Sequence, residues 1–324
     1  FSITRLVFLL SLICLLGPGT GVSAEKIKFA LDWIPIGKHA PFYAAVDRGL
    51  YKKAGLEVTI TRGFGSRDTA KKIAAQAMDI GLADTPSHLL ARAKGGTNRI
   101  VGMFADRGVN VVFALKRSGI RKPKDLSGRT VGDSVGGAGI AVFPAFAKLN
   151  GIKNWTFKPA APAAKFGLLL SGKVDAILTA SMAILPLRFI AKKQGKSIVS
   201  ILYSDFGMDM YSHSLAARDD TIQQRRKMVR SFTQTTMKSI AWSVENPGES
   251  VALLLKRFPT LKPKFARARW DFSVKDLMTP FARANGIGMV DRKKMEKTIN
   301  IIKDAYDLKT GLNVDETYTN EFLP

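Results

Sequence analysis

The chain has 324 residues, 46% of them hydrophobic, and a formal net charge of +24. That is enough apolar material for a full core, and the length suggests about two domains. The charge is spread evenly, with 15 basic and 8 acidic residues over 25–116, 14 and 5 over 117–216, and 20 and 13 over 217–324. A nucleic-acid face would concentrate it on one element, so nucleic acid is set aside as a partner and the excess reads as solvated surface.

Residues 1–24 read as a signal peptide. Arg5 precedes a short apolar run ended by Gly17 and Pro18, and Val22-Ser23-Ala24 offers a small-residue cleavage site. The chain opens on Phe1, so its start reads as incomplete. The single cysteine, Cys14, falls inside this segment, which leaves the mature chain without a thiol. Export to an oxidising compartment is compatible with that.

The first strand follows, with Ile27, Phe29 and Leu31 alternating. It runs into DWIPIGKHAPFY, where Pro41 suits the first turn of a helix. Trp33 and Tyr43 offer ring faces, and His39 offers a ring nitrogen to a flat heteroaromatic ligand. The alternative is that Tyr43 packs inward and His39 only caps. Leu56, Val58 and Ile60 mark a second strand. It ends in a glycine turn with Phe64, Gly65 and Ser66, and Ser66 is expected as the helix N-cap. Free amides at such a start favour an anion or a polar ligand edge, although an ordinary turn looks the same. The turn lacks the glycines of a dinucleotide fingerprint and the Gly-Lys-Ser/Thr of a phosphate loop.

DIGLAD forms the next strand, after which Asp84 and Thr85 face the cleft or cap a helix. RIVGMFA, NVVFALKRS and RTVGDSV follow, the last leading into a glycine-rich turn with Ser134, Gly136 and Gly137. VDAILTA carries Thr179, and SIVSILYSD closes the strand-rich part. Beyond it, Ile222, Val229, Phe232, Ile240 and Val244 share one helical face, and Met295, Ile299, Ile302 and Tyr306 another.

Strands separated by helix-length segments predict α/β units with largely parallel sheets. Strand-like stretches at 113–118 and 211–216 are expected to cross between lobes. An outer lobe would comprise 25–116 and 216–324, with a middle lobe, 117–215, inserted. Ligands enter such sheets at the carboxyl ends of the strands. No catalytic set emerges. A mature chain without a thiol excludes cysteine nucleophiles and cysteine-based zinc sites. His39, His88 and His213 lack metal-site spacing, and no Gly-x-Ser-x-Gly elbow is present. Binding is expected rather than turnover, with no cofactor and no metal.

LDWIPIGKHAPFYAAVDRGLYKKAGLEV resembles the opening of periplasmic solute-binding proteins of ABC importers, in the family that includes thiamine-pyrimidine-precursor binding proteins and fungal pyrimidine-precursor synthases. GFGSRDTAKKIAAQAMDIGLAD, the KVDAI segment and the terminal YTNEFLP extend the likeness. The resemblance implies a type II periplasmic-binding-protein fold. Two α/β lobes would trap a small solute by hinge closure and deliver it, from a monomer in the periplasm, to an inner-membrane permease. It implies a thiamine-related pyrimidine or similar heteroaromatic solute. Ile36 stands where pyrimidine-binding relatives carry Asn, and Lys38 and Arg67 would suit an anion such as a sulfonate or aromatic acid. The synthase branch would need a lysine for pyridoxal phosphate after Gly81-Leu82, where this chain has Ala83.

Overall fold

The structure is a computed structural model that describes residues 24–309 and 312–324. The expected signal segment, up to Ser23 and including Cys14, lies outside the described residues. Strands β1 (Glu25–Ala30), β2 (Leu56–Thr61), β3 (Ile80–Asp84) and β4 (Asn98–Met103) come first in the chain. They are followed by β5 (Asn110–Leu115), β6 (Thr130–Asp133), β7 (Thr156–Pro159), β8 (Ala176–Ala180), β9 (Ile198–Leu202) and β10 (His213–Arg218). Two mixed sheets result, in the orders β2-β1-β3-β10-β4 and β7-β6-β8-β5-β9.

The sheets share one plan. In each, a central strand lies between two parallel neighbours, β1 in the first and β6 in the second. An antiparallel strand, β10 or β5, then joins this trio to an edge strand. Alternation sets the faces: β1 buries Ile27 and Phe29 and exposes Lys26 and Lys28.

The chain passes between the sheets twice, at 104–109 and 203–212. The two passages lie side by side, with the Ser212 amide donating to the Ala105 carbonyl at 3.2 Å. The first half of the stretch expected to cross at 113–118 instead belongs to β5, an interior strand of the second sheet. Val111 to Leu115 is a continuous buried run, and such a run needs cover on both faces, which a surface crossing would not supply.

The late helices divide their loyalties. Helix Arg226–Glu245 buries Val229, Phe232 and Ile240 against the first sheet. Helix Arg292–Tyr306 packs on helix Ala138–Leu149, and its Met295, Ile299 and Ile302 join the core that holds Phe143 and Phe146. The final residues return to the first sheet. Tyr318 bridges Ile100 on edge strand β4, the Thr319 amide donates to the Ile100 carbonyl at 2.9 Å, and Phe322 is fully buried. No helix among the described residues is long and apolar enough to cross a membrane.

Candidate functional site

A cavity of about 230 Å³ lies between the two sheets, with walls from both. On the first-sheet side, the chain leaves β1 and places the buried Asp32 carboxylate at the centre of a network. Lys38 Nζ donates to Asp32 Oδ2 at 2.6 Å, His39 Nε2 lies 2.9 Å from Oδ1, and His213 Nε2 lies 3.1 Å from Oδ2. Lys38 Nζ also reaches His213 Nε2 at 3.0 Å. The Ile36 amide donates to His39 Nδ1 at 3.1 Å, which leaves His39 Nε2 as the proton-bearing nitrogen toward Asp32. Burial alone would raise the Asp32 pKa, but Lys38 and the two histidines hold it well below the usual carboxylate range. Burial pushes His39 down to about 4. His213 is lowered too, by burial and then by the Lys38 charge. The His39 imidazole is therefore neutral at pH 7, and the same burial favours the neutral form of His213.

This wall depends on a close approach. A Cβ on Gly37 would lie 1.9 Å from the Ala266 carbonyl oxygen and 3.1 Å from Arg269 Cβ. Only glycine lets the 36–39 turn press against helix Pro263–Leu277.

On the second-sheet side, β6 ends in Asp133. Lys165 Nζ donates to its Oδ1 at 2.7 Å and to the Leu178 carbonyl at 3.0 Å. The Ser134 and Ile140 amides donate to the same carboxylate at 2.7 and 3.0 Å. Lys165 Nζ also sits 5.0 Å from the Trp33 ring centroid, so it links the two walls.

The walls meet on both sides of the cavity. At one seam Gly65, with φ +130°, stacks backbone on backbone with Gly136; an added Cβ would lie 2.1 Å from the Gly136 oxygen. There the Arg67 amide donates to the Gly136 carbonyl at 3.0 Å. At the other side Phe189 and Phe265 meet edge to face, with centroids 5.6 Å apart. Trp33, Phe166 and Met182 supply the apolar lining, and Arg269 is a further basic residue of the wall. Among the described residues no group of three or more His, Cys, Asp or Glu side chains is arranged to hold a metal ion.

The family model described as "NMT1/THI5 like" matches residues 36–250, well over half of the chain. The chain belongs to the NMT1/THI5-like family. It is 24% identical to a formylaminopyrimidine-binding protein of Halalkalibacterium halodurans, over 87% of this chain and 86% of that one. It is 22% identical to the riboflavin-binding protein RibY of Chloroflexus aurantiacus, over 95% and 88%. A 4-amino-5-hydroxymethyl-2-methylpyrimidine phosphate synthase of Legionella pneumophila is also 22% identical, over 93% of each chain. Among solved structures, a Bordetella bronchiseptica protein superposes with a TM-score of 0.75 at 20% identity, covering 93% of this chain and 96% of that one. The alkanesulfonate-binding protein SsuA of Xanthomonas axonopodis, bound to MOPS, gives 0.68 at 13%, covering 91% and 98%. The fold is that of type II periplasmic binding proteins, two α/β lobes with a cleft between them.

Of the residues expected at the site of this family member, Trp33, Ser66, Gly137 and Thr179 line the cavity. His39 stands one layer behind, fully buried against Asp32. Gly65 and Gly136 form the seam, and Gly65, not Ser66, is the N-cap of helix Ser66–Ala74. Asp84 caps helix Thr85–Ala93 through the Ser87 amide at 3.3 Å, and burial pushes its carboxyl up to about 7. Thr85 shares a hydrogen bond with Ser214 at 3.0 Å, and Ser134 is buried with its hydroxyl unpartnered. Tyr43 belongs to the core: it lies on the inner face of helix Ala40–Asp47 and packs edge-on against Phe258 at 5.0 Å. Phe64 turns outward, 52% exposed, under Arg62 and Lys72. Lys38 is held by Asp32 and is not free for an anion.

Sequence reasoning did not single out Asp32, Asp133, Lys165, His213 or Arg269 as site residues. Asp32 and Asp133 did carry a signal, since each follows directly on a buried strand run. His213 and Arg269 carried none, because 181 positions separate His213 from the carboxylate it touches.

Proposed function

We propose that this protein is the solute-binding component of an ABC importer. It would capture a small heteroaromatic molecule, of which a thiamine-related pyrimidine is the nearest match, and hand it from the periplasm to an inner-membrane permease. It would work as a monomer. One lobe would comprise the first sheet with its helices, and the other would be built on residues 110–202. The two adjacent passages, 104–109 and 203–212, would form the hinge. Solute touching both walls favours the closed arrangement over the open one.

The cavity carries this reading. Its carboxylates, lysines and His213 are already tied to one another, while Trp33 and Phe166 offer ring faces and Ser66 and Thr179 offer hydroxyls. Such a site orients a ligand without supplying a nucleophile and a free base. Relatives named for formylaminopyrimidine and riboflavin support a flat ring as the solute. Pyridoxal-phosphate chemistry fits poorly. Ala83 has no amine and is fully buried. Lys38 and Lys165, which line the cavity, are both salt-bridged, whereas aldimine formation needs a neutral lysine.

A thermal-shift screen against pyrimidines, flavins, sulfonates and aromatic acids tests the reading. A solute at about 100 times its dissociation constant stabilises the fold by about 2.7 kcal/mol. If no small solute raises the melting temperature, the reading fails. Aldimine absorbance on adding pyridoxal phosphate would favour the synthase branch instead.

A further inference from the structure

Resting on the solute-capture part of that reading, and replacing its neutral pyrimidine by an anionic ring, we infer that Arg269 is a specificity-determining residue and that the solute carries an oxyanion group, a carboxylate or sulfonate, on its ring. The inference comes from pairing off the charges around the cavity. Lys38 is matched by Asp32 at 2.6 Å, and Lys165 by Asp133 at 2.7 Å. His213 sits between Lys38 and Asp32. One lining charge remains. Among the described residues no carboxylate lies within salt-bridge distance of Arg269, and its Nε is buried without a hydrogen-bond partner.

A guanidinium does not escape this situation by losing its proton. Taking an unpaired charge partly out of water is costly, and that half-burial with no counter-charge lowers the Arg269 pKa. The fold nevertheless holds the residue in place. Its neighbour Trp270 is fully buried and donates to the Ser243 carbonyl at 3.1 Å, and Ser273 Oγ donates to the Arg269 carbonyl at 2.9 Å. The Gly37 contact fixes this helix against the Lys38 turn. An anion entering the cavity would supply the missing partner, with fork geometry suited to two oxygens.

A second observation has the same sign. Helices Ser66–Ala74 and Ala138–Leu149 both begin at the cavity, and their N-cap residues, Gly65 and Gly137, provide no side-chain cap. Ser66, Ala138 and Gly139 line the wall at these positive ends. Asp133, the carboxylate at that end, is already matched by Lys165.

The test uses isosteric pairs that differ in charge: benzoate against benzamide, and nicotinate against nicotinamide. p-Toluenesulfonate serves as a further anion and 4-amino-5-hydroxymethyl-2-methylpyrimidine as a further neutral ring. Calorimetric titration of the full mature chain should show the anion of a pair binding about 30-fold tighter than its amide. Arg269→Gln should erase that preference by weakening the anion more than its amide, and not lower the ligand-free melting temperature. Arg269→Lys should restore part of the preference. Equal binding of anion and amide would overturn the inference while leaving solute capture intact, as would an Arg269→Gln variant that keeps the preference. So would a fall of more than ~5 °C in the ligand-free variant with equal loss for both members of a pair, which would make Arg269 structural. If neither these probes nor any compound of the wider screen binds, solute capture itself fails and the inference fails with it.

Discussion

Asp32 and Asp133 occupy the same station in the two sheets, where the central strand of a parallel trio gives out at the cavity. Each is answered by a lysine that lines the same cavity. Their remaining partners differ. Asp32 has two imidazoles, whereas Asp133 has two backbone amides. The first site can replace its cation, because a histidine can take up a proton. The second cannot. The same architecture thus carries a tolerant site and an intolerant one, and the lysine of the intolerant one also reaches across to Trp33.

Removing the lysines is the strongest way to break this comparison. Lys165→Met leaves a buried carboxylate with no cation and should cost about 3–5 kcal/mol in denaturant unfolding at neutral pH, and less at a pH low enough for Asp133 itself to take up a proton. Lys38→Met should cost less than half of that near pH 5.5 and approach it near pH 8.5. With Lys38 gone, only burial opposes protonation of His213 beside Asp32, and its folded pKa is expected to rise above the unfolded value of about 6.5. That contribution is complete below about pH 6.5 and is lost as pH rises through the folded value. Equal costs for the two variants at every pH would remove the distinction.

Next in size is Trp33→Ala. It should weaken solute binding by about 30-fold in titration with little loss of stability, since the ring is only partly buried. Equal loss of both would move Trp33 into the core. His88 sharpens the picture of neutral buried imidazoles. It lies against Asn98 and the Ser214 carbonyl, and burial lowers it to about 4. Its stabilisation is present above the unfolded pKa of about 6.5 and is lost as pH falls toward 4. The advantage of wild type over His88→Asn should therefore shrink by about 1.4 kcal/mol per pH unit across that window, measured by urea unfolding. A constant difference would mean that His88 is not held neutral. The smallest effect belongs to the aromatic contact between the two walls, Phe189 against Phe265. Phe189→Ala should forfeit about 0.5–1.5 kcal/mol and speed solute release roughly 2- to 12-fold, read by stopped flow.

The fold was legible because strand alternation and the glycine turns are local signals. Trp33, Ser66, Gly137 and Thr179 were legible at the cavity for the same reason, since the first three sit just past strands that the pattern reveals and Thr179 sits near the end of one. Tyr43 and Phe64 look like the same chemistry in sequence. One-residue differences in helix phase and turn direction send them to the core and to solvent. The run containing β5 reads as apolar, but nothing in it says which sheet will cover it. Arg269 is one of many basic residues, and only the absence of a nearby carboxylate in three dimensions sets it apart.

The last residues of the chain have a consequence of their own. β4 would otherwise present an unpaired rim of amides and carbonyls, a template for another chain to add to. Tyr318 and Thr319 lie along that rim, and Phe322 anchors them. A chain shortened by seven residues would bare this border and become prone to self-association, however well its cavity were formed.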